Sequence, residues 1–217
     1  MLTGLLAAVA VPASAHAAPT LDVDLERSTV QYGAEHEIDG TLLDGTAPLA
    51  GQEVVLEGRR YPYKGSYRVI DRTTTDAEGA FEFEPELDRN HRLRVVAAAQ
   101  GVTSEVLNAY TLPAFELSFR ALRPGVVRLY QRYRVPKSVR LSSPTLFYLG
   151  RRGAKLASVR ETGKVKRTKR GRYTSQVTVE LPARWKGEFR YASCFRPSPK
   201  TGMGDPRATC PKLRLRF

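Results

Sequence analysis

The sequence is short of the side chains that most chemistry needs. Its 217 residues include three histidines and two cysteines, which leaves little material for a metal centre or an activated nucleophile. The usual spacings are missing too, with no P-loop, no GxGxxG, no HExxH and no GxSxG elbow. A Ser-His-Asp arrangement would have to use His36 or His91, and His91 reads as a turn residue in Asp88-Arg-Asn-His-Arg92. No apolar run reaches the roughly 18 residues that span a bilayer as a helix. With two Met and one Trp, a core has to be built from Val, Leu, Tyr and Phe. These absences argue against an enzyme, a bound cofactor and a transmembrane helix.

The apolar residues that are present begin at the N-terminus. Leu2 to Val11 is an apolar run, closed by Pro12 and followed by the small-residue exits Ala13-Ser14-Ala15 and Ala15-His16-Ala17. That order is expected of a secretory signal peptide over residues 1–18, although no Lys or Arg precedes the run. A buried N-terminal helix is the alternative. Export gives the two cysteines a meaning: Cys194 and Cys210 enclose 15 residues rich in turn formers, and an oxidising compartment favours a disulfide between them. A redox or zinc role lacks a CxxC spacing and a nearby histidine.

Charge divides the chain. Residues 19–113 hold 9 Lys+Arg against 17 Asp+Glu, a net of −8; residues 114–217 hold 26 against 5, a net of +21; together they restore the formal +13. The sign reverses at Tyr110-Thr-Leu-Pro113-Ala-Phe, and a composition change at a Pro is a good boundary. Both parts read as β. Strict alternation marks Leu21–Leu25, Ala80–Glu84 and Arg92–Ala97, and further strand-like runs are Ile38–Leu43, Glu53–Glu57, Tyr67–Arg72 and Glu105–Leu112. Beyond the boundary come Phe115–Leu122, Val126–Val135, Thr145–Leu149, Lys155–Arg160, Tyr173–Leu181, Glu188–Phe195 and Leu213–Phe217. No segment carries a helical stripe. The expected fold is therefore all-β: two tandem immunoglobulin-like β-sandwich domains, 19–113 and 114–217, after the signal peptide.

In the first part, Val30-Gln-Tyr-Gly33 is followed by Ile38-Asp-Gly-Thr-Leu42, Pro48-Leu-Ala-Gly-Gln-Glu-Val-Val-Leu56 and Thr73-Thr-Thr-Asp-Ala-Glu-Gly-Ala-Phe-Glu-Phe83. Residues 20–113 thereby resemble the bacterial immunoglobulin-like and carboxypeptidase-regulatory-like domains of secreted and surface proteins, actinobacterial ones especially. The resemblance implies a β-sandwich that serves as spacer, adhesion unit or accessory module. Mechanically, Asp76 should bond to backbone N–H groups of its turn, Gly79 should take a positive φ, and Phe81 and Phe83 should face inward. The second part resembles an immunoglobulin-like domain in strand count and in Trp185-x-Gly187-x-Phe-x-Tyr191-x-x-Cys194. There the Tyr stands three residues before the Cys, where antibody-type domains have two.

Two kinds of binding are worth weighing. Asp71, Asp76 and Glu78 are close enough in sequence to supply oxygens to calcium, although turn-stabilising acids are commoner and no EF-hand spacing is present. The basic part says more. Val126–Val135 places Arg128, Tyr130, Arg132 and Arg134 on one strand face, and Arg214 and Arg216 alternate with Leu213 and Leu215 in the same way. Lys164, Lys166, Arg167, Lys169, Arg170 and Arg172 put six cations into nine residues, a segment expected to form a hairpin turn. Arg outnumbering Lys favours forked contacts to phosphate or carboxylate. The bland alternative is Arg-rich codon usage, which the acidic first part does not share.

The resulting expectation is an exported, non-catalytic binding or structural protein, secreted or held at the cell surface. Its basic module would attach to an anionic cell-envelope polymer or to lipid headgroups, with the acidic module as spacer. Nucleic acid is disfavoured by export and by the lack of a nucleic-acid-binding signature. The alternatives are self-association through the oppositely charged parts and service as accessory domains of an envelope enzyme.

Overall fold

The computed structural model describes residues 18–151, 159–181, 188–204 and 212–216. They form strands joined by turns, with two short 3-10 segments and no α-helix among them. Residues 1–17 of the expected signal peptide (1–18), Cys210 and the Trp185–Gly187 pair lie outside the described residues. Ten strands precede Pro113: β1 (Pro19–Leu25), β2 (Thr29–Gln31), β3 (Ile38–Asp44), β4 (Ala47–Pro48), β5 (Glu53–Arg60), β6 (Arg68–Thr74), β7 (Ala80–Phe83), β8 (His91–Ala97), β9 (Val102–Thr103) and β10 (Leu107–Leu112). Eight follow it: β11 (Ala114–Arg123), β12 (Val126–Arg134), β13 (Thr145–Arg151), β14 (Val159–Gly163), β15 (Lys166–Lys169), β16 (Arg172–Glu180), β17 (Glu188–Phe195) and β18 (Lys212–Arg216).

Four sheets result, and the fold is all-β. In the first, β3 pairs with β1, β4 and β7; in the second the order is β2-β10-β8-β5-β6, with β9 on β8. They enclose one apolar core, to which one sheet sends Ile38, Leu42, Phe81 and Phe83, and the other Val54, Leu56, Leu93, Val95 and Ala109. The alternating strands supply these residues at every second position, because successive side chains leave a strand on opposite faces. The turn before β7 is built as its residues require. Asp76 Oδ1 accepts the backbone N–H groups of Glu78 at 3.0 Å and Ala80 at 2.8 Å. Gly79 has φ +76° and sits where a Cβ would stand 2.6 Å from the Leu42 carbonyl oxygen.

The other two sheets run β11-β12-β16-β15 and β14-β13-β17-β18. Val127, Leu129 and Val179 meet Phe147, Leu149 and Tyr191 between them. A second apolar cluster gathers Tyr133, Val135, Val139, Leu141, Tyr173 and Met203, with Tyr32 from before Pro113 packed against it. Beside these cores lies a polar knot that periodicity does not forecast. The buried Gln131 Oε1 accepts from Tyr133 Oη at 2.9 Å and from Ser193 Oγ, while Tyr133 Oη also meets Thr145 Oγ1 at 2.5 Å. Burial pushes the Tyr133 and Tyr191 hydroxyls above their ordinary pKa.

Most expected strands appear within a residue or two of their expected limits, and the departures have local causes. The run Glu105–Leu112 is interrupted because Ser104 Oγ takes the Val95 N–H at 2.9 Å and donates to Glu105 O at 2.8 Å, so the main ladder resumes only at Leu107. The run Lys155–Arg160 lies partly outside the described residues, and β14 extends beyond it to Gly163. Strand β15 is exposed at every position and offers no apolar alternation to read.

Candidate functional site

The outer face of the β11-β12-β16-β15 sheet carries the basic residues singled out above. In β12, Val127, Leu129, Gln131 and Tyr133 are buried, so Arg128, Tyr130, Arg132 and Arg134 point the other way. Antiparallel pairing then sets one of them beside another arginine and the rest beside neutral polar residues. Arg134 lies opposite Arg172, Arg132 opposite Thr174, Tyr130 opposite Gln176 and Arg128 opposite Thr178. Lys166 pairs with Thr174 and Lys169 with Arg172, extending two of these rows to the sheet edge. A groove of about 640 Å³ runs along the face, bordered by Tyr130, Arg132, Arg134 and Arg172, with Glu116 as its acidic member.

The groove's arginines are held by light contacts. Arg132 meets Glu116 at 3.4 Å and Ser118 Oγ at 3.3 Å, and its guanidinium lies 5.8 Å from the Tyr130 ring centre. Arg128 Nε donates to Thr178 Oγ1 at 3.2 Å. Arg134 reaches out of the basic part altogether, donating to Tyr32 O at 3.4 Å. Exposed pairs of this kind are worth little in water, so the guanidiniums remain able to exchange partners.

Six cations in nine residues do not make one surface. The segment is a hairpin, as expected, with Gly171 at φ +76° in its tip. Because β15 pairs Arg167 with the inward-facing Tyr173, Arg167 lies on the opposite face from Lys166. Arg170 turns back to Lys137 O at 3.4 Å. The face therefore unites Arg128, Arg132, Arg134, Lys166, Lys169 and Arg172, and leaves Arg167 off it; Lys164 and Arg170 belong to the loops at either end of β15. Tyr130, at the centre, and Glu116, the groove's own counter-charge, complete the site. Glu116 was legible only once β11 was paired with β12, where it stands opposite Arg132.

The acidic part presents the reverse. Asp24 lies opposite Asp39, and Asp39 opposite Glu82, across three strands of the first sheet, and a groove of about 470 Å³ is bordered by Asp22, Asp24, Asp39, Asp76 and Glu82. The neighbouring Glu84 carboxylate raises the pKa of Glu82. Asp76 is occupied by its turn, and among the described residues no group of three or more His, Cys, Asp or Glu side chains is arranged to hold a metal ion. Asp71, Asp76 and Glu78 are not brought together as a calcium site.

The two parts meet through hydrogen bonds and apolar packing. One residue, Pro113, separates β10 from β11. Asn90 N donates to Gly202 O at 2.8 Å, and Gly204 N to Thr111 O at 2.9 Å. None of the six ion pairs among the described residues crosses from one part to the other.

Cys194 occupies β17, opposite Leu146 in the register; its expected partner, Cys210, is not among the described residues. No helix among them is long and apolar enough to cross a membrane.

No protein-family model and no curated protein matches the chain. Among solved structures it is similar to an alpha-2-macroglobulin of Salmonella, at 14% identity over 91% of this chain and 14% of that one, with a TM-score of 0.34. It is likewise similar to the native conformation of E. coli alpha-2-macroglobulin, at 12% identity over 92% of this chain and 14% of that one, with a TM-score of 0.34. The chain thus spans about one seventh of those proteins.

Proposed function

We propose that this is an exported, non-catalytic binding protein whose basic sheet face attaches it to an anionic polymer of the cell envelope. The observation that carries the reading is the set of rows on β12 and β16, where Arg134 beside Arg172 and Arg132 beside Thr174 border an open groove. Like charges set directly opposite one another destabilise a sheet. A polyanion laid along the rows relieves that repulsion, and Arg presents a fork that matches phosphate or carboxylate oxygens. The acidic part serves as a spacer, and a Cys194–Cys210 bridge secures the C-terminal strands in an oxidising compartment.

The test is binding of the full chain to purified cell envelope over a graded salt series. Binding should fall as salt rises, and Arg132→Glu with Arg172→Glu should abolish it at salt concentrations where the parent still binds. Equal retention of the reversed variant would sink the proposal.

A second reading has its own support, namely the acidic row Asp24-Asp39-Glu82 on the same chain as the basic rows. Copies joined acidic face to basic face would form an assembly. Sedimentation at rising concentration separates the two, since assembly requires no envelope.

A further inference from the structure

A second cationic site lies where the charge count does not point, on the acidic part. On the outer face of the second sheet, Arg59 of β5 stands directly opposite Arg92 of β8, and Arg92 is flanked on its other side by Asn108 of β10. Two strand positions along, the same two strands pair Glu57 with Arg94, and those two side chains form an ion pair at 2.7 Å. Arg94 is thus matched. Arg59 and Arg92 are not, for neither makes an ion pair among the described residues.

Tyrosines hold both guanidiniums in place. Arg59 lies 4.5 Å and Arg94 4.3 Å from the centre of the Tyr67 ring, and Arg92 lies 4.7 Å from the centre of the Tyr63 ring. Contact with an aromatic face fixes a guanidinium while leaving its N–H edge free to donate. Two donors at this point are buried and without a partner, Arg59 Nε and the Tyr67 hydroxyl. Buried polar groups are nearly always satisfied, and an orphan one costs free energy until something accepts from it. Tyr63 adds a non-glycine residue at φ +64°, a backbone cost of the kind that persists at binding sites.

We infer that Arg59, Arg92 and Tyr67 form a binding site for a phosphate group on the second sheet. A carboxylate has two oxygens and suits one fork; a phosphate has enough acceptors to engage two guanidiniums and a hydroxyl together. The site is separate from the basic face and does not rest on the role proposed for it. The same phosphate chemistry is offered by a free ion, a polymer phosphodiester or a lipid headgroup.

The test reads the Arg59 Nε–H resonance of the full chain by NMR, with inorganic phosphate, soluble polyphosphate and phosphatidylglycerol vesicles as separate probes. A saturable shift is expected. Arg92→Gln should weaken the binding by roughly tenfold, as for the loss of one charge-assisted contact. Arg72→Gln, which removes the same charge from the Glu53 pair on the same sheet, should leave it unchanged. Saturation by inorganic phosphate or polyphosphate supports a site for free or polymer phosphate, and saturation by vesicles alone assigns the same site to a headgroup. No saturable shift with any probe overturns the inference, as does an equal loss in Arg72→Gln.

Discussion

Asn90 Nδ2 donates to the carbonyl oxygen of Gly204 at 2.8 Å, joining residues 114 positions apart in the chain. The same side chain accepts the Thr111 N–H at 2.9 Å through Oδ1, and its own N–H goes to Gly202 O. Asn90 therefore reaches across to the basic part through its Nδ2 and its main-chain N–H, while its Oδ1 holds Thr111 within the acidic part. Gly202 takes φ +67°, and a Cβ there would lie 2.5 Å from the Tyr61 ring.

Replacing Asn90 with Ala should be costly, because it strands the fully buried Thr111 N–H and the Gly204 carbonyl. About 1–3 kcal/mol is the usual penalty for a buried group left unpaired. Denaturant unfolding of Asn90→Ala should show a midpoint well below that of the parent, and hydrogen exchange at Thr111 should accelerate. An unchanged midpoint would mean that the junction contributes nothing to stability.

Gln131 makes the corresponding case inside the basic part. Its Oε1 is the acceptor for Tyr133 Oη and Ser193 Oγ, both buried. Gln131→Leu fits the volume but removes that acceptor, so it should destabilise by about 1–3 kcal/mol despite its greater hydrophobicity. A double substitution, Gln131→Leu with Ser193→Ala, should recover part of the loss. Thermal unfolding of the three proteins measures this.

The contrast between these residues and the strands around them explains what could be read in advance. Alternation placed Leu93, Val95, Phe81 and Phe83 in the core and Arg132 and Arg134 outside it, since a period of two needs only the local sequence. Asn90 was invisible by the same logic: its importance depends on Gly202 and Gly204, which no local pattern links to it. Gln131 sits at an inward position where the pattern calls for an apolar residue, and only its hydroxyl neighbours account for it. The basic face was legible as a strand face, but the sorting of the 164–172 cations depended on β15 register and on the turn at Gly171. The Arg59–Arg92 pair was hidden because the net charge of the acidic part averaged it away.

Export of the chain, as proposed, would put the two cysteines in an oxidising compartment and join them. Cysteine alkylation without reductant should leave both unmodified, and reduction should make both reactive. Closing a loop of about 15 residues is worth roughly 3 kcal/mol in the chain-entropy model, so reduction should lower the unfolding midpoint by a corresponding amount. Labelling of either cysteine in untreated protein recovered from an oxidising compartment would refute the bridge.

Glu116 offers a test of the basic face that leaves every arginine in place. It is the carboxylate bordering the groove, and its pair with Arg132 is exposed and long at 3.4 Å. Exposed pairs contribute about 0.2–1 kcal/mol, so Glu116→Gln should barely change stability. It should strengthen envelope binding by roughly twofold to fivefold, by releasing Arg132 and removing a repelling charge. If affinity stays the same while Arg132→Glu still destroys binding, the polymer lies clear of β11.

The buried histidines set the response to acid. His36 Nδ1 lies 3.1 Å from Arg27 O and His91 Nδ1 2.8 Å from Arg89 O. A carbonyl only accepts, so each Nδ1 carries the proton, and the neutral ring leaves Nε2 as a bare acceptor. In His36 that Nε2 is buried without a partner, so a second proton would create a buried charge and an unmet donor. Burial accordingly lowers both pKa values below the ordinary value of about 6.5; for His91 the Arg60 guanidinium acts in the same sense and the Asp88 carboxylate against it. The unfolded chain then takes up protons first as pH falls through about 6.5. Stability should be full above that pH and decline below it, by up to about 1.4 kcal/mol per pH unit for each histidine until the folded protein is protonated too. Urea unfolding from pH 7.5 to 5 should show this slope, and His36→Phe should make it shallower. A profile that stays flat across that interval, or rises toward acid, would mean that His36 and His91 can be charged in place.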